Sequence, residues 1–380
     1  MLIILNITQV GNMKKLLIPI SFFIFGCEKE EALPTPPQTP KPIVETKTEY
    51  RYDTLTSNEI RYLSTRWDNY HGKGLASWAD LNNDGETDVI FIDDGIFIRT
   101  YKNGQYQSQK IEGVSFIFAR SIIPFDANGD NYIDFVVLAH NNENIQPNPG
   151  EIPYLFINNR GNGFTPNKIN VRQDFWHLGS AGDLDGDGDN DLIICTAGSV
   201  TYLNNVAGNF IEVPNIIPES YKDSHYVGCL IDDFNNDGYN DVLFYGHEYA
   251  ILNDKTQLAK TRILFGNASG KFSETNSTTF KEDTDGFGVI IDAVSLDLNK
   301  DGQREMVLVR TGDPINFNFY KGYKIQIINL KEDLTNKFID NPFSYSEGWI
   351  CTIKFVDVNN DGKRDIVEWD KRRQKYFLQK

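Results

Sequence analysis

Asp183-Leu184-Asp185-Gly186-Asp187-Gly188-Asp189-Asn190-Asp191-Leu192-Ile193-Ile194 puts an Asp at every second position for nine residues and then turns apolar. Five further stretches repeat this layout, with oxygen-bearing side chains at loop positions 1, 3, 5 and 9 and a variable residue at position 7. They are Asp80, Asn82, Asp84, Glu86 and Asp88; Asp126, Asn128, Asp130, Tyr132 and Asp134; Asp233, Asn235, Asp237, Tyr239 and Asp241; Asp297, Asn299, Asp301, Gln303 and Glu305; and Asp357, Asn359, Asp361, Lys363 and Asp365. Position 6 is Gly in five of the six and Asn131 in the other, residues that tolerate the positive φ of a sharp inward turn. Such repetition at intervals of one small supersecondary unit is the signature of a repeat architecture.

The chemistry is that of a hard cation. Calcium takes six to eight oxygens at ~2.3–2.6 Å, and position 7 adds a main-chain carbonyl to the side chains on either side of it. We therefore expect up to six calcium ions, one per loop. An EF-hand would need flanking helices and a Glu at position 12, and neither is present. Each loop instead runs into a strand-like segment: Val89–Ile92, Phe135–Leu138, Leu192–Ile194, Val242–Phe244, Met306–Val309 and Ile366–Val367. Without metal the carboxylates crowd and repel, so ion binding is expected to stabilise the fold by linkage.

A second motif lies downstream of the loops. Tyr154-Leu155-Phe156-Ile157-Asn158-Asn159-Arg160-Gly161-Asn162-Gly163-Phe164, Tyr202-Leu203-Asn204-Asn205-Val206-Ala207-Gly208-Asn209-Phe210 and Leu264-Phe265-Gly266-Asn267-Ala268-Ser269-Gly270-Lys271-Phe272 each read as strand, Gly/Asn turn, strand. Weaker copies are Tyr101–Tyr106 and Ile328–Phe338. Together the loops and hairpins resemble the FG-GAP/VCBS repeat family, whose β-propeller repeats also occur in integrin α-subunit heads. The resemblance spans about residues 75–380. It implies an all-β fold, a propeller of four-stranded blades with six favoured and seven the alternative. The last repeat ends one strand short, so the segment Thr48–Leu55 is expected to close the ring.

The N-terminus reads as an address. Met13-Lys14-Lys15 precedes the apolar run Leu16–Phe25 and then Gly26-Cys27, the order of a secretory signal that is too short to span a bilayer. Ile24-Phe25-Gly26-Cys27 resembles a bacterial lipobox, with Cys27 as the lipidated residue and Met13 as the true start. Residues 1–27 are thus the signal peptide. Residues 28–47 form a tether: Glu28-Lys29-Glu30-Glu31 resembles the acidic surface-export tag of Bacteroidota lipoproteins or is an ordinary charged spacer, and Pro34–Pro42 is dense enough in Pro to stay extended. Residues 48–380 are the propeller. The expected location is the outer membrane, cell-surface exposed, in a Gram-negative bacterium.

Composition narrows the function. Asp and Glu number 53 against 37 Lys and Arg, a net charge of −16, which disfavours nucleic acid as a partner. Aromatics are 13% and Gly numbers 30, as an all-β chain rich in turns requires. Cys195, Cys229 and Cys351 sit in apolar runs and read as buried thiols, with a Cys195–Cys229 pair left open. The chain is expected to be a monomer.

The loops occupy one face of such a ring. The opposite face carries long connections at Ala139–Ile152, Gly246–Lys260 and Arg310–Gly322, and gathers aromatic and polar residues: His71, Lys73, His140, Trp176, His177, His225, Tyr226, His247, Phe287 and Trp349. Flat rings beside hydrogen-bonding groups suit sugars and peptide side chains. The favoured reading is a non-catalytic binder of a glycan or protein ligand. The other is a calcium-dependent polysaccharide lyase or glycoside hydrolase, its base drawn from His71, Lys73, His177, His225 or Tyr226.

Overall fold

A computed structural model of the chain describes residues 52–54, 75–102, 105–141, 149–196, 198–221, 226–248, 259–280, 287–298, 302, 304–312, 324–329, 336–338, 352–357, 361–370 and 373–379. All belong to a compact unit running from Thr48 to Lys380. Among them are twenty-four strands, one 3-10 turn at Glu219–Tyr221 and no α-helix. No described helix is long and apolar enough to cross a membrane.

The strands form six four-stranded antiparallel sheets. The first contains β2 (Leu75–Ala79), β3 (Asp88–Ile92), β4 (Ile96–Lys102) and β5 (Gln105–Ile111). The second contains β6 (Phe118–Phe125), β7 (Asp134–His140), β8 (Tyr154–Asn158) and β9 (Phe164–Lys168). The third contains β10 (Trp176–Gly182), β11 (Asp191–Thr196), β12 (Ser199–Val206) and β13 (Asn209–Glu212). The fourth contains β14 (Tyr226–Asp232), β15 (Asp241–Gly246), β16 (Arg262–Leu264) and β17 (Ser277–Thr279). The fifth contains β18 (Val289–Leu296), β19 (Glu305–Thr311), β20 (Lys324–Asn329) and β21 (Asn336–Phe338). The sixth contains β22 (Thr352–Val356), β23 (Asp365–Asp370), β24 (Arg373–Gln379) and β1 (Tyr52–Thr54). Each of the first five runs in chain order. In the sixth, β1 lies outside β24 with Asp53 opposite Leu378.

The second strand of each sheet explains the packing. In β11 every residue is buried, yet alternate side chains serve different neighbours. Leu192 and Ile194 pack with Val136 and Leu138 of the second sheet. Ile193 and Cys195 pack with Val242 and Phe244 of the fourth. The period of two thus puts one apolar set on each face, and sheet stacks on sheet through both faces. This is why these strands read as unbroken apolar runs. Each fully buried aliphatic chain contributes about 1.5–3 kcal/mol. The same stacking joins the first sheet to the second, the fourth to the fifth, and the fifth to the sixth. The leading strands β2, β6, β10, β14 and β18 contact one another in sequence, and β2 also contacts β22.

Cys195 and Cys229 are free and buried, so the pairing left open by the sequence does not form. Burial raises the Cys195 thiol well above its ordinary pKa, leaving it a small core residue rather than a nucleophile. Cys351 lies outside the described residues.

Acidic loops and the opposite face of the propeller

Each acidic loop joins the first strand of a sheet to the second, so the six loops emerge at corresponding ends of the sheets. Position 6 has positive φ throughout, including Asn131 at 64° as well as Gly188 at 95°. That turn lets the position 1 carboxylate collect loop amides. Asp80 accepts from the N–H of Asp84 (3.2 Å) and Gly85 (2.8 Å), and Asp233 does the same with Asp237 (3.1 Å) and Gly238 (2.9 Å). Position 5 in turn accepts from the N–H of position 7, as Asp84 does from Glu86 (2.9 Å) and Asp361 from Lys363 (2.8 Å).

In the third loop the carboxylates of Asp183, Asp185 and Asp187 bring ligand atoms within 4.8 Å of one another. That separation is about twice a calcium–oxygen distance of ~2.4 Å, so one ion among the three fits both the spacing and the all-oxygen donor set. Burial, followed by the charges of its two neighbours, raises the Asp185 pKa. Asn299, Asp301, Gln303 and Asn359 lie outside the described residues, so the fifth and sixth loops are seen only in part.

Position 9 has a role the sequence pattern did not separate from the others. Asp88, Asp134, Asp191, Asp241, Glu305 and Asp365 are all fully buried. One oxygen accepts the N–H of loop position 2: Leu81 to Asp88 (3.0 Å), Ala127 to Asp134 (2.9 Å), Leu184 to Asp191 (3.0 Å), Phe234 to Asp241 (2.9 Å) and Leu298 to Glu305 (2.9 Å). The other oxygen of Asp134 and Asp191 accepts from the third strand, at Asn158 (2.7 Å) and Asn205 (2.9 Å), and that of Asp241 from Gly266 (2.8 Å), just past the end of β16. Desolvation dominates their titration, pushing Asp134 and Asp191 up to about 6 and Asp241 to about 7. The position 9 acid therefore clasps the loop to its own sheet.

The recurring Asn at the end of the third strand clasps neighbouring sheets. Asn158 donates to the carbonyls of Leu81 in the preceding loop (2.7 Å) and Ile133 in its own (2.9 Å). Asn205 repeats this with Ala127 (2.8 Å) and Asn190 (3.0 Å). Hairpin glycines Gly161, Gly208 and Gly270 then approach the preceding loops at Asn82, Asn128 and Asp185. Four sheets are thus knitted loop to hairpin along this end.

The opposite end presents different chemistry. Phe118 starts β6 opposite His140, the last residue of β7. Their rings stack at 5.6 Å, and His140 stacks in turn on Phe175 of the next sheet's approach at 4.0 Å. Phe175 meets His177 edge-on at 4.8 Å. His140 donates from Nδ1 to the Asn141 carbonyl (2.8 Å). Register shifts interrupt β6 at Ala119/Ser121 and β10 at Trp176/Gly179, bulges that re-aim side chains at this end. Burial, with Arg120, His140 and His247 nearby, lowers the His177 pKa well below its usual value, so the ring is neutral at pH 7.

Several candidate ligand-face residues prove to be packing. Trp176 is completely buried, its Nε1 donating to the Glu151 carbonyl (2.8 Å) across a sheet junction. Tyr226 is buried among Tyr221 and Phe244, with its hydroxyl donating to Lys260 O (3.2 Å). Their large rings fill the wedge between diverging sheets. His247 is also buried, bridging to Val289 of the next sheet. Phe287 lies beneath the Lys324 ammonium at 5.6 Å. His71, Lys73, His225 and Trp349 lie outside the described residues, as do most of the three long connections.

Nothing in the sequence announced a buried ion pair at the same end. Arg310, the penultimate residue of β19, donates to Glu248 from Nη1 (2.6 Å) and Nη2 (3.2 Å), to Gln326 from Nε (2.5 Å) and to the Phe287 carbonyl (3.2 Å). Thr261 donates to the same Glu248 carboxylate (2.6 Å). Both charges are essentially inaccessible, and they join the fourth sheet to the fifth.

Residues 183–244 match the family model of the FG-GAP-like repeat, spanning the third loop, its hairpin and the fourth loop. No curated protein matches the chain. Among solved structures, BBS1N, crystallised in complex with ARL6DN and soaked with lead, is similar at 10% identity and TM-score 0.46, covering 80% of this chain and 91% of that one. Saccharomyces cerevisiae Sqt1 is similar at 11% identity and TM-score 0.45, covering 80% and 84%. Bacillus licheniformis rhamnogalacturonan lyase PL11 is similar at 10% identity and TM-score 0.41, covering 80% and 70%. The chain is a β-propeller of four-stranded antiparallel blades in which residues 183–244 match the FG-GAP-like repeat.

Proposed function

We propose that the protein is a calcium-braced, six-bladed propeller, closed by β1 against β24, which binds a glycan or protein ligand without transforming it. The observation that carries this reading is the division of labour between the two ends of the sheets. The loop end spends its polar groups on itself, through clasped acids and Asn staples. The other end offers an exposed ring, Phe118, backed by His140 and Phe175. If calcium is bound, Asp183, Asp185 and Asp187 and their equivalents hold it, and it supplies charge neutralisation that lets crowded carboxylates share a loop. The acids sit at the far end from Phe118, which favours a bracing rather than a reacting ion. The test is a glycan array probed with the purified protein, followed by analysis of what was bound. Recovery of intact glycan supports binding. Shortened or unsaturated products would instead establish a lyase or hydrolase.

The reading includes a lipid anchor at Cys27, a tether over residues 28–47 and display at the outer surface of a Gram-negative bacterium. Its support is the order basic residues, apolar run, Gly26-Cys27. Changing Cys27→Ser is expected to move the protein from the membrane fraction to the soluble one; unchanged membrane retention contradicts the anchor.

A further inference from the structure

We propose that the acidic loops form a graded set, in which the third loop binds calcium tightest and the second is held weak by a guanidinium of the protein's own, that of Arg160. This rests on the calcium reading above and gives its sites an order.

The first support is donor charge. The third loop carries Asp at positions 1, 3, 5, 7 and 9, five carboxylates in nine residues. The first loop carries four, with Asn82 at position 3, and the second carries three, with Asn128 at position 3 and Tyr132 at position 7. Calcium affinity varies over several decades with the charge of the ligands and the rigidity of the site. The second support is rigidity. Asn204 donates to Asp185 Oδ2 (2.7 Å), the N–H of Ala207 to Asp189 Oδ2 (2.9 Å) and the Tyr202 hydroxyl to the buried Asp191 (3.0 Å). These donors are neutral, so they orient the carboxylates without competing with a cation. Counting back from the clasping Asn158 and Asn205, the places of Tyr202 and Asn204 are taken in the second blade by Leu155 and Ile157, whose side chains offer no such bond.

The third support is Arg160 itself. Arg160 and Ala207 hold the same place in their hairpins, two residues past the clasping Asn, and share a left-handed backbone, with φ of 55° and 49°. In the third blade that place adds no charge. In the second it brings the Arg160 Nε to 3.6 Å from Asp130 Oδ2. The other oxygen of Asp130 accepts the N–H of Tyr132 (3.0 Å). A calcium ion claiming Asp130 must therefore displace the guanidinium or lie close to a like charge. Asp187, at the same position 5 of the third loop, accepts the N–H of Asp189 in the same way (2.9 Å), but its carboxylate gathers with Asp183 and Asp185 instead of a guanidinium.

The experiment is calorimetric titration of the chelator-stripped protein with calcium, in wild type, Asp185→Asn, Arg160→Gln and Arg160→Lys. Asp185 is exposed and the Arg160 side chain is 71% exposed, so the stripped variants should melt with the stripped wild type. In wild type one ion is expected to bind at least roughly tenfold tighter than the weakest. Asp185→Asn should weaken that tightest site by roughly tenfold or more and leave the other sites in place. Arg160→Gln should tighten one of the weaker sites roughly fivefold, whereas Arg160→Lys, which keeps the charge, should not. If Asp185→Asn fails to fold, Asn204→Leu keeps all five carboxylates and should weaken the same tightest site by releasing Asp185. Equal affinity at every site, a tightest site untouched by these third-loop variants, or calcium binding by Arg160→Gln identical to wild type overturns the order and leaves calcium bracing intact. A stripped protein that takes up no calcium at all fails the calcium reading itself.

Discussion

Arg310→Met is expected to lower folding stability by about 3–5 kcal/mol, the usual consequence of stranding one member of a buried ion pair. The Glu248 carboxylate would lose both guanidinium bonds and keep the Thr261 hydroxyl, in a position where water cannot replace the guanidinium. Gln326 would lose its Arg310 contact as well. The pair bridges the fourth and fifth sheets, so the loss acts on the seam between them. Arg310→Met combined with Glu248→Leu should recover much of the deficit, because an apolar pair of similar volume removes the stranded charge. Denaturant melts of wild type, both single variants and the double variant would measure this. A single-variant cost below about 1 kcal/mol would show that the bridge is dispensable.

Asp191→Ala is expected to cost a similar amount, about 3–5 kcal/mol. Its carboxylate satisfies the N–H of Leu184 and Asn205 and the hydroxyl of Tyr202 (3.0 Å), all within the third repeat. Removal leaves two backbone donors buried without an acceptor, at about 1–3 kcal/mol each. This penalty should appear in chelator as well as in calcium, since the bonds do not involve an ion. Asp187→Ala makes the contrast. Asp187 is exposed at loop position 5, so its loss should matter little in chelator and substantially in calcium. Thermal melts of the two variants under both conditions would separate a clasp from a ligand. Equal behaviour of the two would contradict the roles assigned to positions 5 and 9.

Much of the architecture was legible in the residues because it follows from local chemistry. The Gly or Asn at position 6, the alternating acids and the apolar run that follows each specify a turn and a strand without reference to any distant residue. The hairpins at Asn158–Phe164 and Asn205–Phe210 were readable for the same reason. What escaped was pairwise and long-range. Asn158 and Asn205 recur visibly, but their partners, Leu81 and Ala127, lie in the preceding repeat. Arg310 and Glu248 are separated by a whole repeat, and single charges in two long connections give no hint that they meet. Aromatics divide in a way that composition does not show: Trp176 and Tyr226 are packed between sheets, whereas Phe118 reaches solvent. The Phe118–His140–Phe175 stack depends on two sheets meeting and on bulges in their leading strands, neither of which the sequence spacing reveals.

The central claim is that the acidic loops hold calcium and that the ions brace the ring. Metal analysis of protein purified without chelator, followed by calcium titration of the stripped protein monitored by its melting temperature, tests it directly. We expect several calcium ions per chain, up to one for each acidic loop, and a melting temperature that falls markedly on stripping and returns on titration. Stripped protein that melts as before and takes up no calcium would contradict the account.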